Sequence, residues 1–165
     1  MVEMAAQAKA PAFINPDAPE FQKPCDMPKA ILDWIEKSGQ TVPANDSELI
    51  RTILESLALK YRRMVRRLAD LVPEMPSTLN IVGGGGQNKL LNQMTADATG
   101  LRVEAGPVEA TAAGNVIAQM IASGDISSLS EGRELLRNSF EISSYEPGDT
   151  AAWDAKAARF DQILG

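Results

Sequence analysis

Four consecutive glycines, Gly83 to Gly86, constrain this sequence more than any other feature. The apolar run before them, residues 79–82, predicts a short buried strand. The residues that follow, from Gln87 onward, predict a helix because their apolar side chains recur at helical spacing, with Gly100 as its stop. Glycine permits positive φ and lets a ligand approach the main chain closely. The first amide groups of a helix are unpaired and carry partial positive charge, so this strand–turn–helix corner predicts a phosphate-binding site.

The sequence on either side of the glycines predicts a parallel α/β domain. Asn45, Asp46 and Ser47 are N-cap candidates for a long amphipathic helix that ends before Pro73. A second strand is predicted at residues 101–105 and a further helix at residues 109–122, with Gly124 as its stop. Strands and helices that alternate in this way imply parallel strands joined by crossover connections.

The C-terminal part of the sequence predicts two more helices. Ser128 and Glu131 have the spacing of a capping box at the start of the first. Residues 140–147 predict an irregular segment. Apolar side chains between Trp153 and Leu164 then recur at the spacing of a last amphipathic helix.

Residues 1–44 predict an irregular segment, rich in Pro and Ala, that packs on a main domain of residues 45–165. Prolines interrupt regular structure along this stretch. Phe13, Ile14 and Phe21 are predicted to hold the segment on the body, and residues 28–38 to form a short helix. Such an irregular start suggests that the chain is cut from a longer protein.

Composition disfavours several classes of function. The net charge of −6 argues against broad attraction to nucleic acid or to anionic membranes. No apolar run approaches the roughly 20 residues of a membrane helix, and residues 1–10 lack a signal-peptide core, so a cytoplasmic protein is predicted. The single cysteine, Cys25, fits a reducing compartment. The absence of histidine excludes Ser-His-Asp catalysis, Cys-His catalysis and histidine metal sites.

A basic cluster lies on the long helix, at Lys60, Arg62, Arg63, Arg66 and Arg67. It fits either an anion-binding patch or a solvated outer face. A charged outer face is the usual arrangement for a surface helix, so the sequence favours the solvated face.

The glycine pattern by itself leaves several interpretations open. A P-loop needs Gly-Lys-Ser/Thr after its spacer, whereas Lys89 here follows Asn88, so that pattern fails. Gly83 and Gly85 fit a Rossmann dinucleotide fingerprint, with Glu104 as its ribose-binding acid, but Asn88 occupies the third glycine position. A turn that only packs is a poor use of four glycines, because each loses extra conformational entropy on folding.

The block from Val82 to Asp97 resembles the FGGY carbohydrate kinases, and within them the branch that phosphorylates L-rhamnulose. Looser matches extend the resemblance over most of the chain, at residues 13–16, 46–59, 100–103, 106–110 and 114–115. The resemblance implies a ribonuclease H-like, actin-like ATPase fold of two lobes, with the active site in the cleft between them. It identifies this chain as the C-terminal part of the second lobe, on the nucleotide-binding side.

The resemblance also implies the chemistry of the intact protein. Such a protein transfers the γ-phosphoryl group of ATP to a sugar hydroxyl and uses Mg²⁺. Gly84 and Gly85 would contact the nucleotide through their backbone, with Gly83 in the same turn. Asn88, at the helix start, would make a polar contact to it. These are the cofactor-binding residues that the resemblance predicts.

The family's catalytic aspartate, its Asp-x-Gly-Thr turn and its glycine-threonine hairpin have no match here. Asp97 and Glu109 fall at similar family positions, but we interpret both as structural carboxylates. The base, the metal site and most sugar contacts are therefore expected outside this chain, which alone should be inactive. Apolar surface exposed without the other lobe should favour self-association. A stand-alone nucleotide-binding or regulatory domain derived from such a kinase is an alternative, and a Rossmann-type dinucleotide-binding domain is a third.

Overall fold

The computed structural model of the protein describes residues 2–23 and 26–164. Its elements, in chain order, are α1 (Val2–Gln7), α2 (Met27–Lys37), α3 (Asp46–Ala69), β1 (Thr78–Ile81), α4 (Lys89–Thr99), β2 (Arg102–Ala105), α5 (Ala110–Ser123), α6 (Leu129–Ser139), β3 (Ser143–Tyr145) and α7 (Thr150–Leu164). Cys25, on which the argument for a reducing compartment rests, lies outside the described residues. Among the described helices, none is long and apolar enough to cross a membrane.

The helix boundaries follow from the local sequence. Asn45 caps α3 and Ser128 caps α6, and each side-chain oxygen accepts a hydrogen bond from the amide three residues later. Gly100 and Gly124 end α4 and α5 in the left-handed conformation. The structure selects Asn45 among the three predicted cap candidates and confirms the predictions for Ser128, Gly100 and Gly124.

The sheet has the strand order β1-β2-β3. β1 and β2 are parallel, with Leu79 opposite Val103, as the alternation of strands and helices predicted. β3 is antiparallel to β2 and lies within residues 140–147, where the sequence predicted an irregular segment. That prediction was wrong. The serine-rich strand lacks apolar alternation, and its pairing with β2 determines its conformation instead.

The main core lies where α3, α4 and α7 meet. Its members include Leu59 on α3, Met94 on α4 and Phe160 on α7. Phe13, from the N-terminal segment, packs edge-on against Phe160 with ring centroids 6.3 Å apart. The last helix, predicted from its apolar spacing, is therefore confirmed as part of the core.

A second cluster of buried residues joins the N-terminal segment to α2 and α3. It contains Ile14, Ile31, Ile35 and Leu49, with Phe21 partly buried against it. Phe13, Ile14 and Phe21 thus hold the segment as predicted, and the predicted short helix is α2. The division of the chain at residue 44 stays a prediction.

The helix α1 was not predicted, because it lies in the Pro- and Ala-rich stretch that was expected to be irregular. Its six residues precede the first proline, Pro11, and contain no glycine. α1 buries Ala5 completely. Arg51 on α3 donates from Nη1 to the carbonyl oxygen of Ala6 at 3.0 Å, which satisfies an acceptor at the end of α1. Tertiary contacts of this kind are not visible in the local sequence.

Candidate functional site

The glycine turn lies at the carboxyl ends of the two parallel strands. The amide of Gly83 donates to the carbonyl oxygen of Pro107 at 3.1 Å, and the amide of Gly106 donates to that of Ile81 at 2.9 Å. These two hydrogen bonds join the turn after β1 to the turn after β2. Ligands of open α/β sheets bind at this edge, beyond the carboxyl ends of the strands.

The four glycines do not share one role. Gly83 has φ +78°, a conformation that side chains rarely adopt. A Cβ at Gly86 would lie 3.2 Å from the carbonyl oxygen of Ile81, so this position has little room for a side chain. A Cβ at Gly84 or Gly85 would meet nothing within 4 Å. Gly83 and Gly86 therefore serve the fold, while Gly84 and Gly85 leave the backbone open to a ligand.

Asn88 begins the helix that follows the turn. Its Oδ1 accepts a hydrogen bond from the amide of Leu91 at 3.1 Å, which leaves the Nδ2 group of the side chain able to donate. The amides of Lys89 and Leu90 make no hydrogen bond within the described residues. Two backbone donors are thus free at a helix N-terminus, where partial positive charge favours an anion.

A cavity of about 520 Å³ lies beside the turn, between α1 and the start of α4. Its wall includes Gly84, Asn88 and Lys89 on one side and Glu3 on the other. The volume falls within the usual range of small-molecule sites. The lysine ammonium group would attract a phosphate and the Glu3 carboxylate would repel one. The structure therefore brings two predicted site residues, Gly84 and Asn88, to one cavity.

Gly85 lies on the opposite side of the turn, where a cavity of about 370 Å³ separates α3 from β1. Apolar side chains form most of its wall, among them Met64, Leu68 and Leu79. The turn therefore has a polar side and an apolar side. The sequence did not predict this division between Gly84 and Gly85.

Asn92, also on the wall of the apolar cavity, was not singled out by the sequence analysis. Its side chain is completely buried. Its Nδ2 donates to the carbonyl oxygen of Gly86 at 2.8 Å, while its Oδ1 has no hydrogen-bond partner in the part of the chain that the structure describes. The signal was available, because asparagine is disfavoured inside a helix unless its side chain has a local role.

Asp97 has the structural role that the sequence analysis gave it. Its Oδ1 accepts hydrogen bonds from Nε2 of Gln93 at 2.9 Å and from the amide of Gly148 at 2.8 Å. The carboxylate thereby ties α4 to the segment that leads into α7. Glu109 occupies the N-cap position of α5, without a hydrogen bond from its side chain to the helix.

The basic cluster of α3 differs from the solvated face that was predicted. Arg62 is buried. Its Nη1 donates to the carbonyl oxygen of Ala98 at 3.0 Å, and its Nη2 pairs with Asp154 on α7. The arginine's hydrogen bond and then its charge lower the pKa of the Asp154 carboxyl. Arg66 and Arg67 are exposed, as predicted. The prediction was wrong for Arg62 because α7 covers this part of the helix.

Comparison with known proteins identifies the family. The FGGY family of carbohydrate kinases, C-terminal domain, matches residues 1–123. The chain belongs to the FGGY carbohydrate kinases. The match favours the kinase interpretation of the glycine turn over the Rossmann-type alternative.

Similar curated proteins are rhamnulokinases, in agreement with the branch that the sequence indicated. That of Bacteroides thetaiotaomicron is 44% identical over 153 residues, which cover 93% of this chain and 32% of the relative. That of Pectobacterium carotovorum is 43% identical over 161 residues, or 96% of this chain and 32% of the relative. The chain thus spans about a third of the length of the curated relatives it matches.

A solved structure supports the fold of this FGGY chain. The xylulose kinase from Rhodospirillum rubrum aligns with a TM-score of 0.57 and 20% sequence identity, over 76% of this chain and 26% of that one. The predicted fold class, part of a lobe of the actin-like ATPase fold, is therefore confirmed.

Proposed function

We propose that this chain is the nucleotide-binding part of an ATP-dependent carbohydrate kinase that phosphorylates L-rhamnulose. The observation that carries the proposal is the glycine turn, in a chain of the FGGY family, with open space where Gly84 and Gly85 lack a side chain. The rhamnulokinases among its relatives support the choice of sugar.

The residues of the turn fit a nucleotide. The backbone allows close approach of a ligand at Gly84 on the polar side of the turn and at Gly85 on its apolar side. Gly83 holds the turn in its conformation. Asn88 would orient the ligand through its Nδ2 group, and the first amides of α4 suit a phosphate oxygen. ATP supplies the phosphoryl group when it is bound. The chain's own contribution is to hold and orient the nucleotide, which is a large part of catalysis in phosphoryl transfer.

The remaining groups of the reaction are assigned to the other part of the kinase. No group of three or more acidic or cysteine side chains that could hold a metal ion occurs among the described residues. The described residues thus offer no preformed cage of carboxylates for a metal ion. Following the family resemblance, we place the Mg²⁺ site, the catalytic aspartate and most sugar contacts outside this chain. We expect no kinase activity from the chain alone. We place the intact kinase in the cytoplasm, where ATP is available.

A chimeric enzyme tests the proposed activity. This chain would replace the matching third of the Bacteroides thetaiotaomicron rhamnulokinase. ATP-dependent phosphorylation of L-rhamnulose by the chimera is the expected result. A chimera that unfolds in one cooperative transition, yet transfers no phosphoryl group to L-rhamnulose, would contradict the kinase assignment. If that chimera still bound ATP, the stand-alone regulatory alternative would be favoured.

Calorimetric titration tests the site. We expect the chimera to bind Mg-ATP and the Gly84→Val variant to bind it at least about tenfold more weakly, because the valine side chain occupies the approach to the backbone. Gly114→Val is the matched control, since Gly114 also has nothing within 4 Å of its Cβ position but lies on α5. Equal losses in both variants would exclude a specific role for the turn. Binding of NAD instead of ATP would favour the Rossmann-type alternative.

We also propose that the isolated chain self-associates through the apolar surface between α3 and β1. Met64, Leu68 and Val82 expose 44%, 50% and 56% of their surface there. Surface of this kind favours association in water. Sedimentation velocity should show the weight-average mass rising with protein concentration, and Leu68→Lys should reduce that rise. A monomer at all concentrations would contradict the proposal.

A further inference from the structure

We propose that a second cavity, between α3 and α7, binds a small phosphorylated organic compound. Its volume is about 350 Å³, which lies within the range of small-molecule sites. Its wall includes four arginines of α3: Arg62, Arg63, Arg66 and Arg67. None of these residues belongs to the glycine turn, so the inference goes beyond the proposed kinase function and does not depend on it.

The charge at this cavity is opposite to that of the whole chain. The protein carries a net charge of −6, yet the four arginines stand on successive turns of one helix face. Asp161 pairs with Arg63 at 3.0 Å. Asp154 is shared, because it pairs with the buried Arg62 and also lies 3.7 Å from Arg66. The carboxylates thus compensate the arginines only in part.

Two arginines remain available to a ligand. The Arg66 side chain is 64% exposed, and its 3.7 Å contact with Asp154 is its one ion pair among the residues that the structure describes. Arg67 is exposed and makes no ion pair within the described part of the chain. A guanidinium group presents a planar fork of donors that matches phosphate oxygens. Asp70 also lies on the wall and would repel an anion, but four guanidinium groups still face three nearby carboxylates.

Arg62 gives the wall a fixed guanidinium group, whose charge is paired with Asp154. Its side chain is only 7% exposed, and its hydrogen bonds to Ala98 and Asp154 prevent it from turning away. The Nε group is buried and has no hydrogen-bond partner among the residues described. Charges at partly buried positions are screened less by salt than charges on open surface. Salt should therefore weaken ligand binding mainly through the exposed Arg66 and Arg67.

The size of the cavity indicates the class of ligand. Leu59, Ala157 and Phe160 line its inner end but are buried in the core, so the arginines supply most of the accessible wall. A space of about 350 Å³ is larger than a single phosphate group needs, so the cavity suits a phosphate attached to a compact organic body, such as a sugar. A nucleic acid does not fit, because the strongly negative chain would repel a long polyanion.

Calorimetric titration of this polypeptide with glucose 6-phosphate, inorganic phosphate and glucose tests the inference. Glucose 6-phosphate should bind more tightly than inorganic phosphate, and neutral glucose should not bind. Arg66→Gln/Arg67→Gln should weaken glucose 6-phosphate at least about tenfold through loss of charge-assisted hydrogen bonds. Arg66→Lys/Arg67→Lys should retain part of the affinity. Both arginines are exposed, so neither double variant should lower the melting temperature.

Matched controls separate this site from other surface charge and from the nucleotide turn. Arg133→Gln removes an exposed arginine from α6 and should leave the affinity unchanged. Gly84→Val should leave it unchanged as well, which separates the result from that of the proposed kinase site. The inference is overturned if glucose 6-phosphate does not bind, if it binds equally to the Arg66→Gln/Arg67→Gln variant, or if inorganic phosphate binds as tightly.

Discussion

The glycine turn and the interface of α3 with α7 are both suited to charge, but they are built from different groups. At the turn, backbone amides supply the partial positive charge, and the glycines leave space beside them. The interface uses long side chains whose partners are far apart in sequence, since Arg62 and Asp154 are 92 positions apart and Arg63 and Asp161 are 98 apart. We infer that substitutions of the buried, paired side chains of the interface act mainly on stability, while substitutions on the open part of the turn act mainly on ligand binding.

The largest expected effect lies in the core beneath the interface. Phe160 is 1% exposed, so Phe160→Ala should lower the free energy of unfolding by about 3–5 kcal/mol, from lost burial and the cavity left behind. Phe140→Ala, at a partly exposed phenylalanine after α6, should cost much less. Urea unfolding followed by circular dichroism measures both. Equal losses would show that α7 is not part of the core.

The next largest expected effect is a loss of stability on substitution of the buried Arg62. Arg62→Met keeps most of the apolar stem but removes the donor to the Ala98 carbonyl oxygen and the partner of Asp154. We expect a loss of about 1–3 kcal/mol, because a buried acceptor is left unpaired. Arg67→Met, on the exposed part of the same helix, should stay within about 0.5 kcal/mol of the parent. If Arg67→Met were the more damaging, the contrast between buried and exposed arginines would be wrong.

Within the turn, Gly86 and Gly85 should respond differently to the same change. Gly86→Ala places a Cβ 3.2 Å from the carbonyl oxygen of Ile81 and should cost about 1–3 kcal/mol through local displacement. Gly85→Ala meets open space and should alter stability by less than about 0.5 kcal/mol. Thermal unfolding of the two variants compares them directly. A stable Gly86→Ala variant would remove the distinction between glycines that fold the turn and glycines that leave it open.

The smallest effect is the pH dependence of the Arg62–Asp154 pair. The hydrogen bond from Arg62, followed by its charge, lowers the pKa of Asp154 in the folded protein. The pair therefore contributes fully above the ordinary pKa of an aspartate and loses its contribution as the pH falls through the lowered value. Asp154→Asn should have a slightly lower melting temperature than the parent at neutral pH, and the difference should vanish in acid. A difference that grows in acid would contradict this sign.

Much of the fold could be predicted because its signals are local. Asn45 and Ser128 begin helices, and Gly100 and Gly124 end them, through hydrogen bonds and backbone conformations that involve only a few neighbouring residues. The glycine turn is also a local signal, because its strand, turn and helix follow one another directly in the sequence. Local chemistry of this kind is readable from one sequence.

The unpredicted features depend on distant contacts. The strand β3 forms by pairing with β2, and α1 is fixed by packing and by Arg51. Arg62 is buried because α7 lies over it, which no helical pattern within α3 reveals. At the candidate site, the sequence indicated Gly84 and Gly85 together. Their separation onto opposite sides of the turn follows from the position of α3, which the sequence pattern does not specify.

The hydrogen bonds that join the two turns have a consequence for binding. A run of glycines in an unconstrained loop samples many conformations, and fixing each residue costs roughly 1–2 kcal/mol of backbone entropy. Here Pro107 and Asn92 hold the ends of the run through the Gly83 amide and the Gly86 carbonyl. That ordering cost is therefore met when the protein folds and not when a ligand arrives. The most flexible sequence in the chain becomes a preorganised surface, and its affinity should depend on these two distant restraints as much as on its own contacts.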